Sequence, residues 1–190
     1  EFSVHNTNAL LTMTDGVLSG KTGFTGDAGY CYVCACEKDE KTFVVSLLGC
    51  GWPNNKGYKW KDSLKLLDYG EDNFDYEKFW KELKFPEVPV KDGVEKNITF
   101  GDTAVVSGIP SVSEKEKNKK ILMKKGEKIS CRLEMPEKLQ APVKKGNRIG
   151  TLIYSLGEEE LASYPVLADR NVEKVSYGWC VDQVFHDFFH

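Results

Sequence analysis

The chain has 190 residues, 41% hydrophobic and 29% charged, with 26 Lys and Arg against 29 Asp and Glu for a formal net charge of −3. That length suits one or two domains with a real hydrophobic core. The charge balance gives no reason to expect nucleic acid as a partner, and the Lys-rich stretch from Glu114 to Lys128 alternates with glutamates, as a solvated loop and strand edge does.

Along the chain, Asn6-Thr7-Asn8-Ala9-Leu10-Leu11 and Asp15-Gly16 lead to Lys21-Thr22-Gly23-Phe24-Thr25-Gly26, followed by Gly29-Tyr30-Cys31. The segment Gly16 to Thr22 superficially matches a phosphate-binding Walker loop. It has three residues between its glycines where that loop needs four, and the next segment is not helical, which excludes a nucleotide. Tyr30 to Cys36 and Thr42 to Leu48 are β-prone and apolar on both faces. They are joined by the charged turn Glu37 to Lys41 and are expected to be adjacent strands buried from both sides. Trp60, Leu64 and Leu67 recur at helical spacing, with Asn54 or Asn55 as a cap and Gly70 as a stop.

Phe74 to Leu83 is expected to be a connector with a short helical turn, its Phe79 and Trp80 packing at a domain interface. From Pro86 onward, prolines, glycines and short β-prone runs (Asn97 to Phe100, Lys128 to Glu134, Gly150 to Ser155) predict a small β-sandwich without a nucleophile beside a base. The tail from Tyr177 to His190 sets Trp179, Val184, Phe185, Phe188 and Phe189 among Asp182, His186 and Asp187. It is too short and too polar to span a bilayer. It reads either as the start of a membrane-anchoring amphipathic helix or as a segment packed on the β domain; its acidic polar face is the wrong sign for anionic lipid.

The six cysteines suggest no metal set. Cys31 and Cys34 fall on opposite faces of one strand, Cys50, Cys131 and Cys180 are scattered, and His5, His186 and His190 are dispersed, so free thiols, no metal and no cofactor are expected. Asn97-Ile98-Thr99 fits a glycosylation sequon that means little in a bacterial protein.

The Lys21-Thr22-Gly23 region, with its Asn-x-Asn-x-Leu-Leu approach and its Gly-Tyr-Cys end, resembles the third-motif region of the serine-type D-alanyl-D-alanine carboxypeptidases, the low-molecular-mass penicillin-binding proteins. Residues 86 to 176 resemble the small β-rich domain that follows their catalytic domain, most clearly in Leu139-Gln140-Ala141-Pro142-Val143-Lys144-Lys145-Gly146 and Ile149-Gly150-Thr151-Leu152. One departure is that Leu18-Ser19-Gly20 stand between the Asp-Gly stretch and Lys21, which is expected to reshape the approach to the strand.

The resemblance implies an α+β fold. Residues 1–84 would be the C-terminal part of a transpeptidase-like catalytic domain, with antiparallel strands and a helix; 85–176 a sandwich-like β domain; and 177–190 an amphipathic tail. It implies acyl transfer by a serine to remove the terminal D-alanine from peptidoglycan stem peptides, in a penicillin-sensitive, extracytoplasmic enzyme of the bacterial wall that bears on cell shape. In that reading Lys21 supplies a fixed positive charge facing the serine network and the substrate's terminal carboxylate, Thr22 and Thr25 offer hydroxyls to that carboxylate, Gly23 lets an extended peptide lie on the strand, and the Phe24 N–H is an oxyanion-hole donor. No Ser-x-x-Lys and no Ser-x-Asn occurs. The chain therefore reads as the C-terminal portion of a larger protein, inactive alone, whose partner is the missing N-terminal part of the catalytic domain. The alternative is a non-catalytic wall scaffold; an upstream Ser-x-x-Lys in the reading frame separates the two.

Overall fold

The computed structural model describes residues 2–95, 98–99 and 101–189, the last four by backbone alone. The sequon at Asn97, the ends of the Asn97 to Phe100 run, His190 and the side chains of His186, Asp187, Phe188 and Phe189 lie outside the described residues. The chain divides into two units, Glu1–Glu77 with Lys120–Gly126, and Lys78–Lys119 with Glu127–His190.

In the first unit a single helical turn, α1 (Leu10–Met13), precedes an antiparallel sheet of β1 (Val17–Thr25), β2 (Gly29–Lys38) and β3 (Lys41–Leu47), in that order across the sheet. The period-two alternation of β2 sends Tyr32, Cys34 and Cys36 to one face. There they are buried with Val45 of β3, Leu10 of α1 and Leu67 of α2 (Tyr58–Asn73). The other face was expected to be buried too, yet Val33 and Val44 are 43% and 71% exposed. Both helices of the unit pack on the Tyr32 side, so an apolar strand is necessary for burial on two faces but does not supply the second cover. A register shift between Val17 and Ser19 leaves Leu18 in a β-bulge three residues before Lys21.

The hairpin between β2 and β3 turns through Asp39 and Glu40, both left-handed at φ 49° and 62°. Neither asparagine caps α2: Asn54 and Asn55 sit in a 3-10 turn, Pro53–Asn55, and the helix starts at Tyr58 without a side-chain cap. Nor does Gly70 stop it. A Cβ there would lie 2.9 Å from the Phe43 ring, so this glycine is a close-packing site inside the helix. The helix ends at Asn73, where the Lys41 ammonium donates to the carbonyls of Glu71 (3.2 Å) and Phe74 (3.1 Å) and to Asp75 Oδ1 (3.0 Å).

The connector forms no helical turn. Phe74–Lys78 is a strand, β4, paired with Lys120–Lys124, a partner more than forty residues along the chain that no local pattern announces.

The second unit holds β5 (Val88–Lys91), β6 (Gly93–Val94), β7 (Val105–Val106) and β8 (Gly108–Pro110). A short helix, α3 (Glu114–Lys117), follows; Ser113 and Glu116 close a capping box on it, a helix start not expected in this Lys/Glu stretch. The strand Lys120–Lys124 is β9, and the chain continues through β10 (Ile129–Glu134), β11 (Leu139–Gln140), β12 (Arg148–Leu156), β13 (Glu159–Ala168), β14 (Glu173–Lys174) and α4 (Tyr177–Phe189). The main sheet runs β10-β12-β13-β8, and a second runs β11-β5-β7. Together they make this unit predominantly β, as expected of the sandwich-like domain. Phe79 and Trp80 pack inside this unit, their rings 5.0 and 5.4 Å from that of the buried Tyr154.

Candidate functional site

β1 is an edge strand, and its alternation sorts the motif residues. Thr22 lies opposite Tyr32, on the helix-covered face, and Lys21 lies opposite Val33, on the exposed face. A cleft of about 500 Å³ is lined by Thr22, Gly23 and Phe24 from β1, by Tyr30 from β2, and by Lys56, Lys59 and Trp60 at the start of α2. The structure thus brings Thr22, Gly23 and Phe24 together but does not put Lys21 or Thr25 in that lining. The Lys21 ammonium donates to the Thr22 carbonyl at 2.7 Å, and Thr25 Oγ1 accepts from the Ala28 N–H at 3.1 Å, closing the turn to β2.

Local chemistry explains why the cleft forms. The loop from Gly49 to Asn55 is strapped to the β1–β2 turn: the Tyr30 N–H donates to the Gly51 carbonyl (2.8 Å), and Trp52 Nε1 donates to the Gly26 carbonyl (2.8 Å). Gly29, at φ +67°, is required here, because a Cβ would lie 2.8 Å from the Gly51 carbonyl oxygen. The strap delivers Lys56 and, in the first turn of α2, Lys59 to the same cleft as Thr22.

Lys59 is the unusual residue. It is only 6% exposed, its Nζ lies 4.2 Å from the centroid of Tyr30 and 4.7 Å from that of Trp60, and it donates to the Lys56 carbonyl at 2.7 Å. Among the described residues no carboxylate pairs with it. Burial pulls its pKa below that of an ordinary lysine, a burial cost that an incoming anion would offset. Nearby, the Cys50 thiol donates to Asp62 Oδ2 at 3.1 Å, and its pKa is pushed up to about 11 by burial and by that carboxylate. Sequence reasoning missed Lys59 and Lys56. A signal existed: the buried positions of α2 are Lys59, Ser63, Leu67 and Gly70, so a lysine occupies the core stripe.

Residues 86–174 match the family model described as Penicillin-binding protein 5, C-terminal domain. Most of the chain is similar to the C-terminal portion of D-alanyl-D-alanine carboxypeptidases. It is 28% identical over 181 residues to the D-alanyl-D-alanine carboxypeptidase DacF of Bacillus subtilis, covering 93% of this chain and 42% of that protein. It is 32% identical over 162 residues to the carboxypeptidase DacA of Haemophilus influenzae, covering 83% of this chain and 38% of that one. Among solved structures, the carboxypeptidase DacD from Francisella tularensis superposes with a TM-score of 0.53 at 27% identity, over 90% of this chain and 39% of that chain. The chain thus spans about 40% of the length of these carboxypeptidases. The α+β architecture is consistent with this likeness, and among the described residues no helix is long and apolar enough to cross a membrane.

Proposed function

We propose that the first unit is the receiving wall of a serine D-alanyl-D-alanine carboxypeptidase site. The edge strand β1 pairs with the extended end of a peptidoglycan stem peptide, with Gly23 leaving room for its backbone. The terminal carboxylate enters the cleft beside Thr22 and meets the Lys59 ammonium. The single observation that carries this reading is a buried ammonium with no carboxylate partner among the described residues, set in a cleft lined by Thr22, Gly23 and Phe24 of an edge strand.

Lys21 has a different place. It stands on the sheet face that also bears the exposed Val33 and Val44. In this proposal that face takes the N-terminal part of the catalytic domain, which brings the serine nucleophile and its activating lysine, and the fixed charge of Lys21 then faces that network. The Phe24 N–H serves as an oxyanion donor in the assembled site, and Thr25 closes the turn that sets it and offers its hydroxyl to the substrate. The assembled enzyme trims stem peptides outside the cytoplasmic membrane and is acylated by penicillins. The β domain and the exposed apolar side chains Tyr177, Val184 and Phe185 of α4 hold it at its working surface, the membrane being one candidate surface for the tail.

The test is a titration of the chain with an N-acylated D-Ala-D-Ala dipeptide and with its C-terminal amide, followed by NMR. The carboxylate form is expected to bind more tightly, and Lys59→Met is expected to abolish the difference. Equal binding of the two forms by the unaltered chain overturns the carboxylate assignment.

A further inference from the structure

Behind the cleft lies a buried polar pair that the proposed reaction does not use. Asn8 is 6% exposed and Tyr32 is 2% exposed, and the Tyr32 hydroxyl donates to Asn8 Oδ1 at 2.8 Å. Asn8 Nδ2 is buried with no hydrogen-bond partner among the described residues. Gly20, one residue before Lys21, is what admits the pair: a Cβ there would lie 2.7 Å from the Tyr32 hydroxyl and 2.8 Å from Asn8 Nδ2. An apolar pair of the same shape would fill this space without leaving a donor unsatisfied, so the pair is not explained by stability.

A chain of contacts runs from it to the cleft. The Tyr32 ring meets Trp60 edge-on at 4.8 Å, and Trp60 in turn supports the Lys59 ammonium at 4.7 Å.

We propose that Asn8 is a positioning residue that holds the Lys59 ammonium at the cleft through Tyr32 and Trp60. A hydrogen bond is directional where apolar packing is not, so the Asn8 bond fixes the height and tilt of the Tyr32 ring. Trp60 inherits that placement through the edge-on contact, which is sensitive to ring orientation. Lys59 is then held between Tyr30 and Trp60 with its remaining donors toward the cleft. The proposal rests on reading Lys59 as the carboxylate receiver.

The decisive variant is Asn8→Leu combined with Tyr32→Phe in the full chain, which keeps the volume and removes both polar groups. Two quantities are read. One is the preference for the N-acylated D-Ala-D-Ala dipeptide over its amide; the other is the titration of Lys59, followed by the NMR signal of its Cε. Tyr30, Cys50 and Lys56 are the other titratable groups around that ammonium, with Asp62 behind Cys50. The variant is expected to keep or raise its thermal midpoint, while the carboxylate preference falls at least about fivefold and the Lys59 titration moves up toward that of a free lysine. Tyr32→Phe alone, which keeps the ring, is expected to shift both in the same direction. Unchanged preference and unchanged titration in either folded variant overturn the proposal, as does a loss of stability with the Lys59 titration unmoved. If Lys59→Met leaves the carboxylate preference of the unaltered chain intact, the carboxylate assignment fails, and the Lys59 titration still decides the positioning role.

Discussion

Replacing Gly20 by alanine tests the packing behind the motif strand. In an ordinary strand the change is favourable, because glycine costs about 0.5 to 1 kcal/mol relative to alanine. Here the new Cβ would sit 2.7 Å from the Tyr32 hydroxyl and 2.8 Å from Asn8 Nδ2, both inside contact distance and both on residues too buried to move aside. Overpacking of this kind costs about 1 to 3 kcal/mol. Prising Tyr32 from Asn8 leaves buried polar groups unpaired at a further cost of about 1 to 3 kcal/mol. Set against the strand gain, the net loss is about 3 kcal/mol. For a unit of about 80 residues that lowers the thermal midpoint by roughly 12 to 24 °C. Hydrogen exchange of peptides from β2 and β3, followed through the thermal transition, reads the first unit alone. A midpoint unchanged or raised in Gly20→Ala would refute the claim that this glycine exists to seat the Asn8–Tyr32 pair.

Four further outcomes follow from the same geometry. Lys41→Met removes the ammonium that binds the Glu71 and Phe74 carbonyls and is expected to destabilise the first unit by about 1 to 3 kcal/mol, measured by urea unfolding. Glu40→Gly relieves a left-handed residue at φ 62° in the hairpin and is expected to raise the thermal midpoint, a gain of about 0.5 to 1 kcal/mol. Cys50 is held protonated by burial and Asp62: alkylation at pH 8 is expected to be slower than for a free thiol and to accelerate in Asp62→Asn. Because its folded pKa, about 11, lies above that of an unfolded thiol, its contribution to stability is complete below the unfolded value and is lost as pH rises through the folded one. The first unit is therefore expected to weaken as pH rises from 9 to 11.

The parts legible in the sequence are those written in local periodicity. β2 and β3 followed from their apolar runs, the helix from Trp60, Leu64 and Leu67, and two strands of the β unit from the runs Lys128 to Glu134 and Gly150 to Ser155, whereas Ile98 and Thr99 lie outside any strand. What escaped depends on partners far away in the chain. β4 becomes a strand because Lys120–Lys124 pairs with it, Gly70 stays inside its helix because Phe43 fills the space, and Val44 is exposed because both helices of its unit lie on the opposite face. The cleft was half legible. Thr22, Gly23 and Phe24 stood out as a motif, whereas Lys59 was hidden because a lysine among Lys56, Lys61 and Lys65 looks like surface until the strap from Gly26 to Trp52 presses it against Tyr30.

The most direct test of the central claim, a receiving wall whose nucleophile lies on another part of the catalytic domain, is the intact mass of this chain before and after incubation with a reactive penicillin. No covalent adduct is predicted. A stoichiometric adduct on one of its serines would contradict the account, because the nucleophile would then reside within these 190 residues.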